Sequence, residues 1–185
     1  MICWKCHEAV QGPVCPSCGI LQPPPPQADF YTVLGLPRAY HLDLDELESR
    51  WRDRSRQVHP DRYARKSAVL RRMSLQWTAL VNDARRVLRD PVRRAWYLAT
   101  GKPRPPERGG APTDPDFLEA VFEWRMALAE GDTAVLDKVR AAQQTLSDEI
   151  GEVFHAWEAG DGDLGSIEPR LQRLKYLDNL LQHDT

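Results

Sequence analysis

From residue 43 onward, apolar residues recur every three or four positions, the spacing of helices with one buried face. Asp43 precedes the first run with Glu46 three residues on, an arrangement resembling a capping box. Leu44, Leu47, Trp51, Ser55 and Val58 form its stripe, while Arg50, Arg52, Arg54 and Arg56 fall mostly on the other faces. His59-Pro60 ends this helix, because proline drives the residue before it out of the helical region. A second helix is predicted from Ser67 to Arg89, with Met73, Trp77, Leu80, Val81, Ala84 and Leu88 buried, and Asp90-Pro91 breaks it. A short helix follows through Trp96, Tyr97 and Leu98 to Gly101, placed as a C′ glycine.

Asp114 is a good N-cap with Pro115 at the first helical position. Phe117, Leu118, Val121, Phe122, Arg125 and Leu128 line one face, and Gly131 ends the helix. From Asp132, the positions Leu136, Val139, Gln143, Leu146, Ile150, Val153 and Trp157 form a sustained seam of the kind that packs antiparallel helices. Residues 160–165 read as a loop, and Ile167, Leu171, Leu174, Leu177 and Leu181 as the last helix. There is no β-rich stretch and no repeat beyond two cysteine pairs. The pattern predicts an all-α chain in four parts joined by two linkers. These are a cysteine-rich module at 1–22, a Pro-rich linker at 23–28, a basic helical unit at 29–101, a Pro/Gly-rich linker at 102–113, and an antiparallel three-helix bundle at 114–185.

Composition narrows the setting. With 185 residues, 42% apolar and 28% charged, the chain has the balance of a soluble globular protein. No apolar run approaches the roughly 20 residues of a membrane span. The opening residues lack the hydrophobic core of a signal peptide, so the expected location is the cytoplasm. The net charge of −2 conceals an asymmetry: between Arg50 and Arg94 there are 14 Lys and Arg against four Asp, and the rest of the chain is acidic. Such a segment suits an acidic partner, either protein or nucleic acid.

All four cysteines lie in the first 18 residues, as Cys3-x2-Cys6 and Cys15-x2-Cys18. A two-residue gap lets both thiolates of a pair reach one ion, and four thiolates make the closed tetrahedral site of a single structural Zn2+. Bound metal would supply folding energy to a segment with almost no core. Two disulfides, unmodified thiols or an iron–sulfur cluster are the alternatives. His7 is a spare ligand by position but is expected in solvent. Four thiolates leave no open coordination position, so the metal is not catalytic.

His59-Pro60-Asp61 sits between two helices inside the basic segment, where proline fixes the turn that presents the imidazole and the carboxylate. By itself the tripeptide also reads as a helix stop followed by a capping Asp. A hydrolytic His/Asp pair would need a nucleophile, and none with a credible partner is near.

In context these residues resemble the J-domain co-chaperones of 70-kDa heat-shock ATPases. The matching residues are Asp29-Phe30-Tyr31-Thr32-Val33-Leu34-Gly35-Leu36-Pro37, the basic helix, His59-Pro60-Asp61-Arg62-Tyr63, Asn82-Asp83-Ala84, Val87-Leu88 and Asp90-Pro91. The resemblance narrows to the HscB (Jac-type) proteins of iron–sulfur cluster assembly through residues 37–43, Arg93-Arg94-Ala95-Trp96-Tyr97-Leu98, Phe117-Leu118-Glu119 and Leu174-Lys175-Tyr176-Leu177-Asp178. The amino-terminal cysteine module is similar to that of the zinc-bearing members.

The resemblance implies a J-domain helical hairpin at 29–101 and a co-chaperone rather than an enzyme. In this family His59, Pro60, Asp61, Arg52, Arg54 and Arg56 would dock on an HscA-like 70-kDa chaperone and stimulate its ATPase. Leu118, Phe122 and Tyr176, with Glu123 and Arg125 as charged neighbours, would bind an IscU-like iron–sulfur scaffold protein for delivery to it. Glu119 stands where the family often has a hydrophobic residue, and Met126 where it often has an acid. Two other readings bear on function. A zinc-ribbon nucleic-acid binder would use the basic segment, although its arginines lack interleaved exposed aromatics. A general J-protein carrying unfolded clients would need a Gly/Phe-rich linker and β-rich domains, which the chain lacks. Neither nucleic acid nor membrane is expected as a partner, and packing of the cysteine module on the bundle or a weak homodimer is left open.

Overall fold

The computed structural model describes residues 1–104 and 114–182; residues 105–113 of the 102–113 linker and the last three residues lie outside it. Its described residues form eight helices and no strand, as the hydropathy pattern predicts. None of the helices is long and apolar enough to cross a membrane. Two compact units divide the chain, 1–91 and 92–185.

The first unit begins with two knuckles that repeat at a twelve-residue offset. Ile2 bridges Ala9 and Val14 bridges Leu21, and the Cys3 and Cys15 amides donate to Glu8 O and Ile20 O. In each knuckle the fifth residue, His7 or Gly19, donates back to the first cysteine's carbonyl and takes positive φ, 63° and 68°. Glycine accepts that region without strain and histidine tolerates it less well. Helix α1 (Phe30–Leu34) follows, capped by the Asp29 carboxylate at one end and by Gly35, φ 72°, at the other.

Helix α2 (Leu44–Val58) starts at Asp43, whose carboxylate accepts from the Asp45 and Glu46 amides. Glu46 pairs with Arg50 instead of closing the box. Helix α3 (Pro60–Tyr63) is one turn, and α4 (Ala68–Arg89) is capped by Ser67. The expected stripes shift slightly. Leu44, the first residue of α2, is exposed, while Leu47 and Val58 are fully buried. On α4 the buried seats are Ser74, Trp77, Val81, Ala84 and Leu88, with Val87 beside them; Met73 and Leu80 flank the stripe half-buried. Arg85 ties the two helices together: its guanidinium stacks 4.4 Å from the Trp51 ring and pairs with Glu48, while the Trp51 indole donates to Asn82.

The division falls after the first residue of α5 (Pro91–Thr100), and the second unit holds the rest of that helix with α6 (Pro115–Ala129), α7 (Val135–Glu158) and α8 (Ile167–Gln182). The Asp114 carboxylate caps α6, and α7 and α8 pack along their length with α6 against both. Two seam positions differ from the predicted ones at the ends of α7: Val135 and Phe154 are buried, where Leu136 and Val153 were expected. In α8, Leu180 takes the inward place expected of Leu181. A 3.6-residue helix drifts against a seven-residue repeat, so neighbouring apolar residues exchange seats toward its ends.

Candidate functional site

Three groups of residues carry candidate chemistry: the cysteine cluster, the α2–α3 tip and one face of α6. In the first, Sγ atoms of Cys3, Cys6, Cys15 and Cys18 all lie within 4.8 Å of one another. The closest approaches join the two knuckles, Cys3 to Cys18 at 3.7 Å and Cys6 to Cys15 at 3.6 Å. A disulfide needs about 2.05 Å, whereas four sulfurs about 2.3 Å from one metal ion stand roughly 3.8 Å apart. The cluster therefore has the dimensions of a tetrahedral thiolate site and could hold a metal ion.

The thiols share their protons unevenly. Burial pushes Cys3 up, but the Cys6 and Lys5 amides and the thiols of Cys6 and Cys18 outweigh it and bring the pKa down to about 6. The Glu8 amide pulls Cys6 down, yet burial and the thiols of Cys3, Cys18 and Cys15 push it up to about 12. Four sulfurs this close cannot all ionise without a cation among them. His7 is exposed and outside the cluster.

The module is built into the first unit through Gln22. This side chain is 1% exposed. Its amide nitrogen faces Cys3 Sγ at 3.4 Å and Ile20 O at 3.0 Å, and its amide oxygen accepts from Trp4 N. Its backbone carbonyl accepts the indole N–H of Trp77, on α4, at 2.7 Å. Arg54 supplies a second attachment. A Cβ added at Gly12 would stand 2.9 Å from Arg54 Nη1, and one at Gly35 would stand 3.2 Å from Nη2. The guanidinium thus lies over two glycines, one in the module and one at the end of α1. Burial, with Arg50 nearby, lowers its pKa from the ordinary arginine value.

At the tip, His59 leaves the helix with φ −55° and ψ 132°. Its Nδ1 accepts from the Asp61 amide at 3.3 Å and lies 3.5 Å from Asp61 Oδ2. Asp61 is the most displayed group of the three, its side chain 90% exposed, while Pro60 is half-buried beneath it. Arg52 and Arg56 on α2 and Arg62 directly after Asp61 are exposed, and Arg56 pairs with Asp53. Of the three arginines singled out from sequence, Arg52 and Arg56 thus face solvent and Arg54 is turned toward the cysteine module. Helical phase separates them: Arg54 lies seven residues after Leu47 and four before Val58, on the buried side of α2, whereas Arg52 and Arg56 stand one turn apart on another face. Arg62 was not singled out, although its place directly after the tripeptide was the available signal.

On α6, about 100° of rotation per residue divides two apolar faces. Phe117, Val121, Trp124 and Leu128 turn inward, and Leu118, Phe122 and Met126 turn outward, 39%, 65% and 47% exposed. Arg125 shares the outward face and exposed Glu123 lies further round. Tyr176 is half-buried on α8, a different helix. Met126 extends the outward stripe by one more four-residue step, a signal that the spacing from Phe122 carried. Arg173 of α8 pairs with Asp114 at 2.5 Å and lies 5.6 Å from the Phe117 ring, which locks the start of α6.

Residues 29–97 match the DnaJ domain model and residues 113–183 match the HSCB C-terminal oligomerisation domain model. The Co-chaperone protein HscB homolog of Bordetella pertussis is 42% identical over 144 residues, covering 71% of this chain and 84% of its own length. The Iron-sulfur cluster co-chaperone protein HscB of Mus musculus is 30% identical over 189 residues, covering 96% and 79%. The crystal structure of human co-chaperone protein HscB superposes with a TM-score of 0.78 at 27% identity, over 99% of this chain and 96% of that one. The chain belongs to the HscB family of J-domain co-chaperones, which are not enzymes.

Proposed function

We infer that this chain stimulates the ATPase of an HscA-like 70-kDa chaperone and delivers to it an IscU-like scaffold protein on which iron–sulfur clusters are assembled. The observation that carries this reading is the exposed Asp61 carboxylate on a fixed tip, with Arg52 and Arg56 exposed on the preceding helix and Arg62 exposed next in the chain. A carboxylate displayed in this way is suited to a cationic group on the partner, and the exposed cations to an acidic surface. Docking favours the chaperone conformation that hydrolyses ATP, so the co-chaperone contributes no catalytic group and acts through differential binding.

The second half of the reading rests on the α6 stripe. Leu118, Phe122 and Met126 give an apolar surface of the kind that anchors a protein interface, and Arg125, Glu123 and Tyr176 surround or neighbour it as polar contacts. The working parts are then the J-domain over 29–101, the scaffold-binding bundle over 114–185 and the cysteine module over 1–22. Cys3, Cys6, Cys15 and Cys18 would hold one structural Zn2+, which fastens the two knuckles together. Cytoplasm is the setting proposed for these reactions.

The discriminating experiment is the ATPase rate of the chaperone measured with this protein, with the scaffold protein, and with both. Stimulation by this protein alone, increased further by the scaffold, is the expected result. No stimulation in either arm would refute the reading.

A further inference from the structure

The end of α2 poses a hydrogen-bonding problem. An α-helix leaves its last four carbonyls without intrahelical partners, and the usual remedy is a glycine whose following amides fold back onto them. That remedy is closed here. His59 is extended, and Pro60 has no amide hydrogen to donate.

Three successive carbonyls are instead met by side chains from beyond the tip. Arg62 Nη1 donates to Arg56 O at 3.2 Å, Tyr63 Oη to Gln57 O at 3.0 Å, and Ser74 Oγ to Val58 O at 2.6 Å. The donors come from α3 and α4, so the ladder crosses the turn and ties its two sides together. Ser74 is the telling member. It occupies the first seat of the buried α4 series that continues through Trp77, Val81, Ala84 and Leu88, and it is 0% exposed. A hydroxyl in an otherwise apolar stripe is costly unless it is bonded, and its bond goes to the carbonyl immediately before His59. Tyr63 is likewise buried, and burial raises its pKa from the ordinary phenol value.

We propose that Ser74 and Tyr63, assisted by Arg62, are positioning residues for partner activation: they fix the direction in which the tip presents His59 and Asp61. This rests on the reading of the tip given above and adds two buried residues, Ser74 and Tyr63, that do not touch the partner; Arg62, which is exposed, serves both parts. The ladder divides the labour by depth. Asp61 does the contacting from the solvent side, while the hydroxyls hold the peptide groups behind it, so a directional contact is made without ordering the tip at the moment of docking.

The test uses the full-length, metal-loaded protein with Ser74→Ala, Tyr63→Phe and the double variant, each of which removes an oxygen with little change of shape. Assays are run well below every variant's melting temperature, so that loss of folded protein does not contribute. The concentration giving half-maximal chaperone stimulation should rise about three- to ten-fold for Ser74→Ala, less for Tyr63→Phe, and further in the double variant. Scaffold binding should be unchanged. The Val58 carbonyl carbon shift in NMR should move in Ser74→Ala and the Gln57 shift in Tyr63→Phe, as each loses its donor. A moved shift with wild-type stimulation would overturn the proposal, and so would an unmoved shift. Asp61→Asn is measured alongside: if it also stimulates normally, the failure lies with the tip's assigned role and not with the ladder alone.

Discussion

At the α2–α3 tip, the displayed carboxylate of Asp61 stands on a turn held from behind by Arg62, Tyr63 and Ser74. On α6, by contrast, Leu118, Phe122 and Met126 project from an ordinary helical turn with Val121 buried on the opposite side. The difference follows from the forces each surface uses. A charge-assisted hydrogen bond is directional, so its donor or acceptor must be aimed. Apolar burial is non-directional and scales with area, so a helix that merely exposes the right side chains suffices. One surface is specified by orientation and the other by composition.

Breaking each surface should therefore give different signatures. The largest effect is expected from Asp61→Asn, which removes the charge and keeps the shape. Chaperone stimulation should fall at least about thirty-fold, and the thermal melt should not move, because this side chain faces solvent. Next, Leu118→Ala with Phe122→Ala should weaken scaffold binding about ten- to thirty-fold by calorimetry, with stimulation in the absence of scaffold intact. A large drop in melting temperature would instead mean that these side chains hold the bundle together.

A finer division concerns the arginines. Arg52→Ala with Arg56→Ala should weaken stimulation about three- to ten-fold at low ionic strength, the deficit shrinking as salt is added. Arg54→Ala should leave that salt dependence alone and lower the melting temperature by about 2–4 °C, since its guanidinium lies on Gly12 and Gly35. The smallest effect on either surface is expected on chelation. Tryptophan fluorescence should change and α4 amides near Trp77 should exchange faster, while stimulation falls only about two-fold and scaffold binding stays constant. Acidification should produce the same fluorescence change, because a metal binds thiolates and protons compete for them as pH falls; the high pKa of Cys6 makes that competition stronger.

Much of this architecture was readable from local chemistry. Asp43 and Asp114 cap the helices predicted for them, Ser67, read as the first residue of the second helix, is its cap, and Gly101 closes α5 in the left-handed region. The cysteine spacing pointed to one four-sulfur cluster, and His59-Pro60 marked the helix end. What escaped was decided by tertiary partners. Ser74 is polar and was passed over in favour of Met73, because periodicity sees hydrophobicity and not the carbonyl waiting across the turn. Gln22 read only as the last residue of the cysteine module, and the fold shows its side chain against Cys3. Arg54 was grouped with Arg52 and Arg56 by charge alone; its spacing from Leu47 and Val58 placed it on the inner side of α2, and what only the fold shows is that Gly12 and Gly35 lie beneath it.

The bond from Trp77 to Gln22 O also bears on how the molecule can be dissected. Excision at the polyproline stretch, an inviting place to cut, would take away the acceptor of a buried indole and uncover the tryptophan it shields. A trimmed helical hairpin would then carry a sticky, unsatisfied flank of its own making. The first 22 residues are less an appendage than a missing wall.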